Sequence, residues 1–315
     1  MLVPNAIRIF RAALCSLALT LTAIQPTWSQ DSVLTKPSAP TRFSVVVEGP
    51  AAGKAPDVIL IPGLGSSRED YAAEAKLLAP SYRLHLVQVA GFAGEPAGPN
   101  ASGPILEPVV EQLHAYIVDN HLHPAVIGHS LGGLLGLMLA DAHPEDVSKL
   151  LVIDALPFYG LVFSPNATVA IMKPQAQSMG KNMLAMPKDQ FDTSQPLFAS
   201  RLVSDPAGIK LVVASSIASD RTVFVDAMVE DLSTDIRPRL SSIQTPTTVL
   251  YPYSPAQGSA TDVVALYTMA YKGMPHVEFV RVDNSLHFIM LDQPAAFHQA
   301  VLSFLQPAGL TSGSH

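Results

Sequence analysis

Short apolar runs alternate with longer stretches of helical periodicity from about residue 43 to residue 305. The runs at 43–47, 58–61, 84–89, 125–127, 150–153, 247–251 and 277–282 predict strands. Most of them lack polar alternation, as expected of strands covered by helices on both faces. Between them, apolar positions recurring every three to four residues predict helices near 69–78, 104–120, 131–142, 262–272 and 294–305. This order predicts an α/β fold built on a doubly wound, mostly parallel sheet.

One interval breaks the rhythm. Between Asp154 and Gln244 no strand pair is predicted, and the helical stretches are punctuated by Pro157, Pro165, Pro174, Pro187, Pro196 and Pro206. Met172, Met179, Met183, Met186, Phe191, Leu197 and Phe198 make this interval rich in adaptable apolar side chains. The expected organisation is a core at 42–155 and 241–308, with a helical cap inserted at 156–240 over the sheet's carboxyl edge. Most of the cap methionines are expected to be packing filler.

Composition adds the compartment. The chain has 315 residues, 48% hydrophobic and 14% charged, enough to bury a large core. Arg8 and Arg11 precede an apolar segment at 12–24, followed by Pro26, Thr27 and Ser29. That layout at 1–30 predicts an export signal peptide, its apolar run being short for a bilayer span. Residues 31–41, with Lys36-Pro37-Ser38-Ala39-Pro40, read as a linker. The expected product is exported, to the periplasm or beyond. Removing 1–30 takes away two arginines and no acid, so the net charge of −7 becomes −9. Such an acidic product has no electrostatic footprint for nucleic acid or anionic membranes. No apolar run of transmembrane length follows the signal, so no stable membrane insertion is expected. Cys15 is the single cysteine and falls within the signal, which excludes disulfides, thiol catalysis and cysteine metal sites from the mature chain.

The candidate chemistry centres on Gly128-His129-Ser130-Leu131-Gly132-Gly133, between the strand at 125–127 and the helix at 131–142. A serine at a sharp strand-to-helix turn has its hydroxyl exposed above the sheet. It needs a base to become a nucleophile. His287 is the best candidate, because it lies in the loop after the last strand, on the same sheet edge as the serine turn. His129 is expected to support the turn, while His85, His121, His143 and His298 sit on strands, helix ends or helices. The acid that orients the histidine is assigned to Asp154, which closes the apolar strand 150–153. Asp262 and Asp283 are the alternatives, Asp283 being expected to organise the turn before His287. The turn after the strand at 247–251 reads Pro252-Tyr253-Ser254-Pro255 and offers no carboxylate. The backbone N–H groups of Leu131, just after the serine, and Leu64, in Pro62-Gly63-Leu64-Gly65, are expected to form an oxyanion hole. Ser66 or Ser67 is expected to cap the helix that follows.

These motifs together resemble the α/β-hydrolase superfamily across about 43–306, in its chain order of nucleophile, acid and histidine. The acid's place before the cap looks like the branch typified by haloalkane dehalogenases, coelenterazine luciferases and zearalenone-type lactone hydrolases. Dehalogenases carry an aspartate where this chain has Ser130, which argues against that activity. Most members have His-Gly in the oxyanion loop where this chain has Pro62-Gly63; the backbone role survives the change. The resemblance implies a serine hydrolase acting on a small-molecule ester or lactone; the sequence carries no metal cluster or nucleotide motif, so no cofactor or metal is expected. Amide or peptide hydrolysis is the second reading; there Asp189, Asp192, Glu230 or Asp231 of the cap would grip a substrate amine. A non-catalytic ligand-binding member is the third.

Overall fold

The computed structural model describes residues 41–255 and 258–306. The expected signal peptide at 1–30, nearly all of the linker and positions 307–308 lie outside the described residues. Seven strands form one sheet: β1 (Phe43–Glu48), β2 (Asp57–Ile61), β3 (Arg83–Val89), β4 (Ala125–His129), β5 (Lys149–Ile153), β6 (Thr247–Tyr253) and β7 (Val277–Asp283). Their order is β1-β3-β2-β4-β5-β6-β7, with β1 antiparallel to β3 and every other pair parallel. Each predicted strand is present, within two residues at either end.

Period-two alternation divides the core. Ile59, Ile61, Val87, Val126, Val152 and Val249 point to one face of the sheet, where α2 (Leu106–Asp119), α3 (Leu131–Ala142) and α8 (Ala260–Ala270) pack. Val58, Leu60, Leu86, Ile127, Leu151 and Leu250 point to the other, under α1 (Ala72–Leu78) and α10 (Pro294–Leu305). The central strands are buried on both faces, which is why their sequences show little polar alternation. Each such Val, Leu or Ile contributes about 1.5–3 kcal/mol by leaving water.

Between β5 and β6 lie α4 (Val169–Ala185), α5 (Lys188–Ala199), α6 (Pro206–Ala218) and α7 (Arg221–Ser233). Pro187 immediately precedes α5 and Pro206 opens α6, a position where proline's missing N–H costs nothing. Pro174 and Pro196 instead lie inside α4 and α5. Helix α7 descends onto the sheet's carboxyl edge. Phe224 fills the space over Gly65, and Val223 the space over Gly91. The carboxylate of Glu230 accepts from the N–H groups of Ile105 and Leu106 at 2.8 and 2.9 Å, capping the start of α2. The apolar residues of this insertion divide: Met172 and Phe191 are buried, whereas Met179, Leu197 and Phe198 face solvent. Among the described residues, no helix is long and apolar enough to cross a membrane.

Candidate active site

Ser130 stands between the last residue of β4 and the first of α3, at φ 52° and ψ −121°. Positive φ is unusual for a residue with a side chain, and it turns the serine out above the sheet. The flanking glycines follow from close backbone approach. A Cβ on Gly128 would sit 2.2 Å from the carbonyl oxygen of Gly132, and one on Gly132 would sit 2.2 Å from that of Ile61. Any larger residue would push the turn off the sheet.

Adjacent strands deliver the acid to the same level. The N–H of Ser130 donates to the Ile153 carbonyl at 2.9 Å, and that of Asp154 donates to the Leu250 carbonyl at 2.8 Å. Both residues therefore extend the β-ladders by one step at the carboxyl edge. Asp154 also has positive φ, 43°. Nδ1–H of His287 donates to its Oδ2 at 2.6 Å, and the pair is mostly shielded from water. The other carboxylate oxygen accepts from the hydroxyl of Tyr267, a buried residue of α8 stacked on Tyr251. With Nδ1 protonated toward Asp154, Nε2 of His287 carries the free lone pair, the tautomer a general base requires. Among the described residues, neither Ser130 Oγ nor His287 Nε2 has a hydrogen-bond partner. Such bonds often tighten only with substrate in place.

His129 is fully buried, and its Nε2–H donates to the main-chain carbonyl of His287 at 3.0 Å. Its ring packs against those of His287 and Phe288, at 4.5 and 4.7 Å between centroids. Burial, and the neighbouring His287, hold His129 well below the ordinary histidine range, so it stays neutral. It supports the turn, as expected. The loop carrying His287 is held again by Asp292. Oδ2 of that residue accepts from the N–H of Leu286 at 2.8 Å, and Oδ1 from the N–H of Ser204 at 2.7 Å, on the insertion.

The oxyanion candidates flank the serine. The position a Cβ would take on Gly63 lies 3.1 Å from the Cβ of Ser130, so the Pro62–Gly65 turn lies against the nucleophile position. Among the described residues, the N–H groups of Leu64 and Leu131 have no acceptor. Two unpaired amides beside one hydroxyl are an arrangement that can stabilise a developing oxyanion. Ser67 caps the short helix Arg68–Tyr71, its Oγ accepting from Glu69 N–H at 3.1 Å.

The alternative acids stay apart. Asp262 accepts from the hydroxyl of Ser259 at 2.7 Å at the exposed start of α8. Asp283 is paired with Arg281 at 2.8 Å and is exposed, an ion pair rather than a turn organiser. Of the four acids considered for gripping an amine, Asp189 is exposed, Asp192 pairs with Lys188, and Glu230 caps α2. Asp231 is buried on α7, and burial pushes its carboxyl up to about 7, with the charge of His287 opposing the shift. Tyr267 and Asp292 escaped the sequence reading, because each lies on an ordinary helical pattern with no motif around it.

Away from this edge, His114, His143 and Glu145 each bring a ligand-type atom within 4.8 Å of the others. The two imidazoles stack at 3.8 Å with planes 10° apart. Lone pairs in parallel rings run side by side instead of converging, which does not fit one tetrahedral ion.

The sequence from residue 58 to residue 300 matches the model of the alpha/beta hydrolase family. The chain belongs to that family. Among curated members, it is 25% identical over 84% of its length to the RutD protein of Agrobacterium fabrum, which is named for carbamate hydrolysis; the match covers 98% of that relative. It is also 25% identical, over 78% of its length and 92% of the relative, to the pimeloyl-[acyl-carrier protein] methyl ester esterase of Salmonella newport. A shorter match to the RutD of Cronobacter sakazakii, 36% identical, spans only 40% of that protein. Among solved alpha/beta hydrolases, the fold superposes on the enol-lactonase of Burkholderia xenovorans with a TM-score of 0.65 at 17% identity, covering 84% of this chain and 96% of that one.

Proposed function

We propose that this alpha/beta hydrolase is a serine hydrolase that cleaves a carboxylic ester or lactone through an acyl-enzyme on Ser130. The observation that carries the proposal is the short Asp154–His287 contact at the mouth of the serine turn. In this reading Asp154 holds His287 with Nε2 bare, and Nε2 takes the Ser130 proton as Oγ attacks the carbonyl carbon. The tetrahedral oxyanion is received by the N–H groups of Leu64 and Leu131. His287 then protonates the leaving oxygen, and the carbonyl reforms as an acyl-enzyme. Water delivers its proton to Nε2, attacks the acyl carbon and releases the acid, returning the proton to Ser130. The names of the esterase and lactonase relatives support an ester-type substrate. Helices α4–α7 serve as the cap that encloses it. Export through a leader at 1–30 belongs to the same reading, supported by Arg8, Arg11 and the apolar segment after them.

Ser130→Ala is expected to abolish p-nitrophenyl ester turnover and fluorophosphonate labelling while the melting transition persists. A variant that still turns over ester at the parent rate rules out the acyl-enzyme.

A further inference from the structure

The inserted helices form two pairs, α4 packed on α7 and α5 packed on α6. Each pair meets a different loop of the proposed active site. Met228 and Leu232 of α7 pack with Leu64, and Phe224 lies over Gly65, so the first pair bears on the oxyanion turn. The second pair bears on the loop of the base. Between α5 and α6 the chain runs through Leu202, Val203, Ser204 and Asp205, beside α9 (Ile289–Asp292), the short helix that follows His287.

A single carboxylate joins the two. Oδ1 of Asp292 accepts from the N–H and the hydroxyl of Ser204 at 2.7 and 2.9 Å, and from the N–H of Asp205 at 3.1 Å. Oδ2 accepts from the N–H of Leu286 at 2.8 Å. On the other side of the histidine, the N–H of Phe288 donates to the Leu202 carbonyl at 3.0 Å. His287 is thus bracketed at 286 and 288 by bonds that lead to one segment of the insertion. Val203 of that segment is fully buried in the same apolar cluster as Phe288, Ile289 and Met290. The segment is wired to its helices as well. The N–H groups of Leu202 and Val203 donate to the Ala199 carbonyl at the end of α5, at 2.9 and 3.0 Å. The Asp205 carboxylate accepts from Gly208 N–H at 2.7 Å, capping α6.

A carboxylate suits a site of four donors because, when ionised, it only accepts, and its charge strengthens each bond. We infer that Asp292 is a positioning residue that makes the alignment of His287 depend on how the α5–α6 pair is docked. The cap then mounts both halves of the site, the oxyanion turn through α7 and the base through Asp292. A shift of α5–α6 against the sheet carries the imidazole with it. The consequence for catalysis rests on the Ser130 reading; the mechanical coupling does not.

Asp292→Asn breaks the joint from the loop side, since the amide turns N–H groups toward donors. Ser204→Pro breaks it from the cap side, removing an N–H and a hydroxyl without altering α9. Hydrogen–deuterium exchange reads the coupling without substrate: Ser204→Pro is expected to speed exchange of the Leu286 and Phe288 amides about tenfold or more. With p-nitrophenyl esters, each single variant is expected to lower kcat about 5- to 20-fold. KM should stay within about threefold, because the lost bonds are made to the loop and not to substrate. The double variant should lose little beyond the larger single loss, as two changes to one joint do. Unchanged exchange at 286 and 288 in Ser204→Pro overturns the inference, as do kcat losses that multiply in the double variant. If Ser204→Pro does not fold, Ser204→Ala takes its place, with a kcat loss of about two- to fivefold and the same exchange comparison. A parent protein without ester turnover would sink the Ser130 reading alone, and the exchange comparison would still decide the coupling.

Discussion

Removing the Tyr267 hydroxyl probes the acid without touching the reacting atoms. The carboxylate of Asp154 accepts one bond from Tyr267 and one from His287. Tyr267 is enclosed, and its ring stacks on Tyr251 at 4.5 Å, so Tyr267→Phe keeps the packing and deletes one donor. A hydrogen bond to a charged acceptor is worth about 1.5–3 kcal/mol. Its loss leaves His287 as the remaining side-chain partner of that carboxylate among the described residues. The carboxylate also loses half of its anchorage, and kcat is expected to fall about three- to tenfold, far less than the roughly 10⁴-fold that follows loss of a triad acid. The assay is kcat for a p-nitrophenyl ester, for parent and variant, with near-ultraviolet circular dichroism as the check on packing. A kcat equal to the parent's, or one that falls by the full 10⁴ or so, refutes the reasoning.

Three other outcomes follow from the same geometry. Asp154→Asn is expected to lower kcat by about 10⁴, whereas Asp262→Asn, whose carboxylate meets only the cap of α8, should stay within about twofold; equal losses would return the acid to the open alternatives. Gly132→Ala places a Cβ against two backbone carbonyls, of Ile61 and Pro62, that cannot rotate away; the urea midpoint should drop by the equivalent of about 3 kcal/mol or more, and an unchanged midpoint contradicts it. Asp70 is raised to about 7 by burial, with Ser66 beside it but no bond of ordinary geometry to either oxygen. Its native pKa lies above its unfolded value, so the native state binds the proton more tightly and stability falls as pH rises between about 4 and 7. Asp70→Asn removes that loss, and its stability relative to the parent should rise by about 3 kcal/mol from pH 5 to pH 8. Identical shifts in melting temperature at the two pH values would count against a buried ionising carboxyl.

Legibility in the sequence tracked how local the constraint was. The strands at the centre of the sheet were readable because burial on both faces forces continuous apolar runs, as in Val58–Ile61 within β2 and Leu150–Ile153 within β5. The serine turn was readable because its two glycines stand only four positions apart around the serine, although the contact that demands Gly132 is made with Ile61, far away in the chain. Asp154 and His287 could be placed because strand ends mark the sheet edge. Tyr267 could not be: its role depends on a contact made 113 positions away, and its helix would look the same with any large apolar residue there. Glu230 was grouped with possible substrate ligands, since nothing in its surroundings announces that it caps α2 across 125 positions. Asp231, next to it, looks equivalent along the chain. One position of helical rotation, about 100°, turns Asp231 away from the backbone cap that Glu230 makes.

The bond from His129 to the main chain of His287 has a consequence for how the site tolerates change. His287, the proposed general base, rides on a loop, and loops drift; here that loop is pinned to the same rigid strand that leads into Ser130, through a main-chain atom that takes no part in the proposed reaction. Altering position 129 would let the two halves of the site slide past each other though every reacting group remained in place.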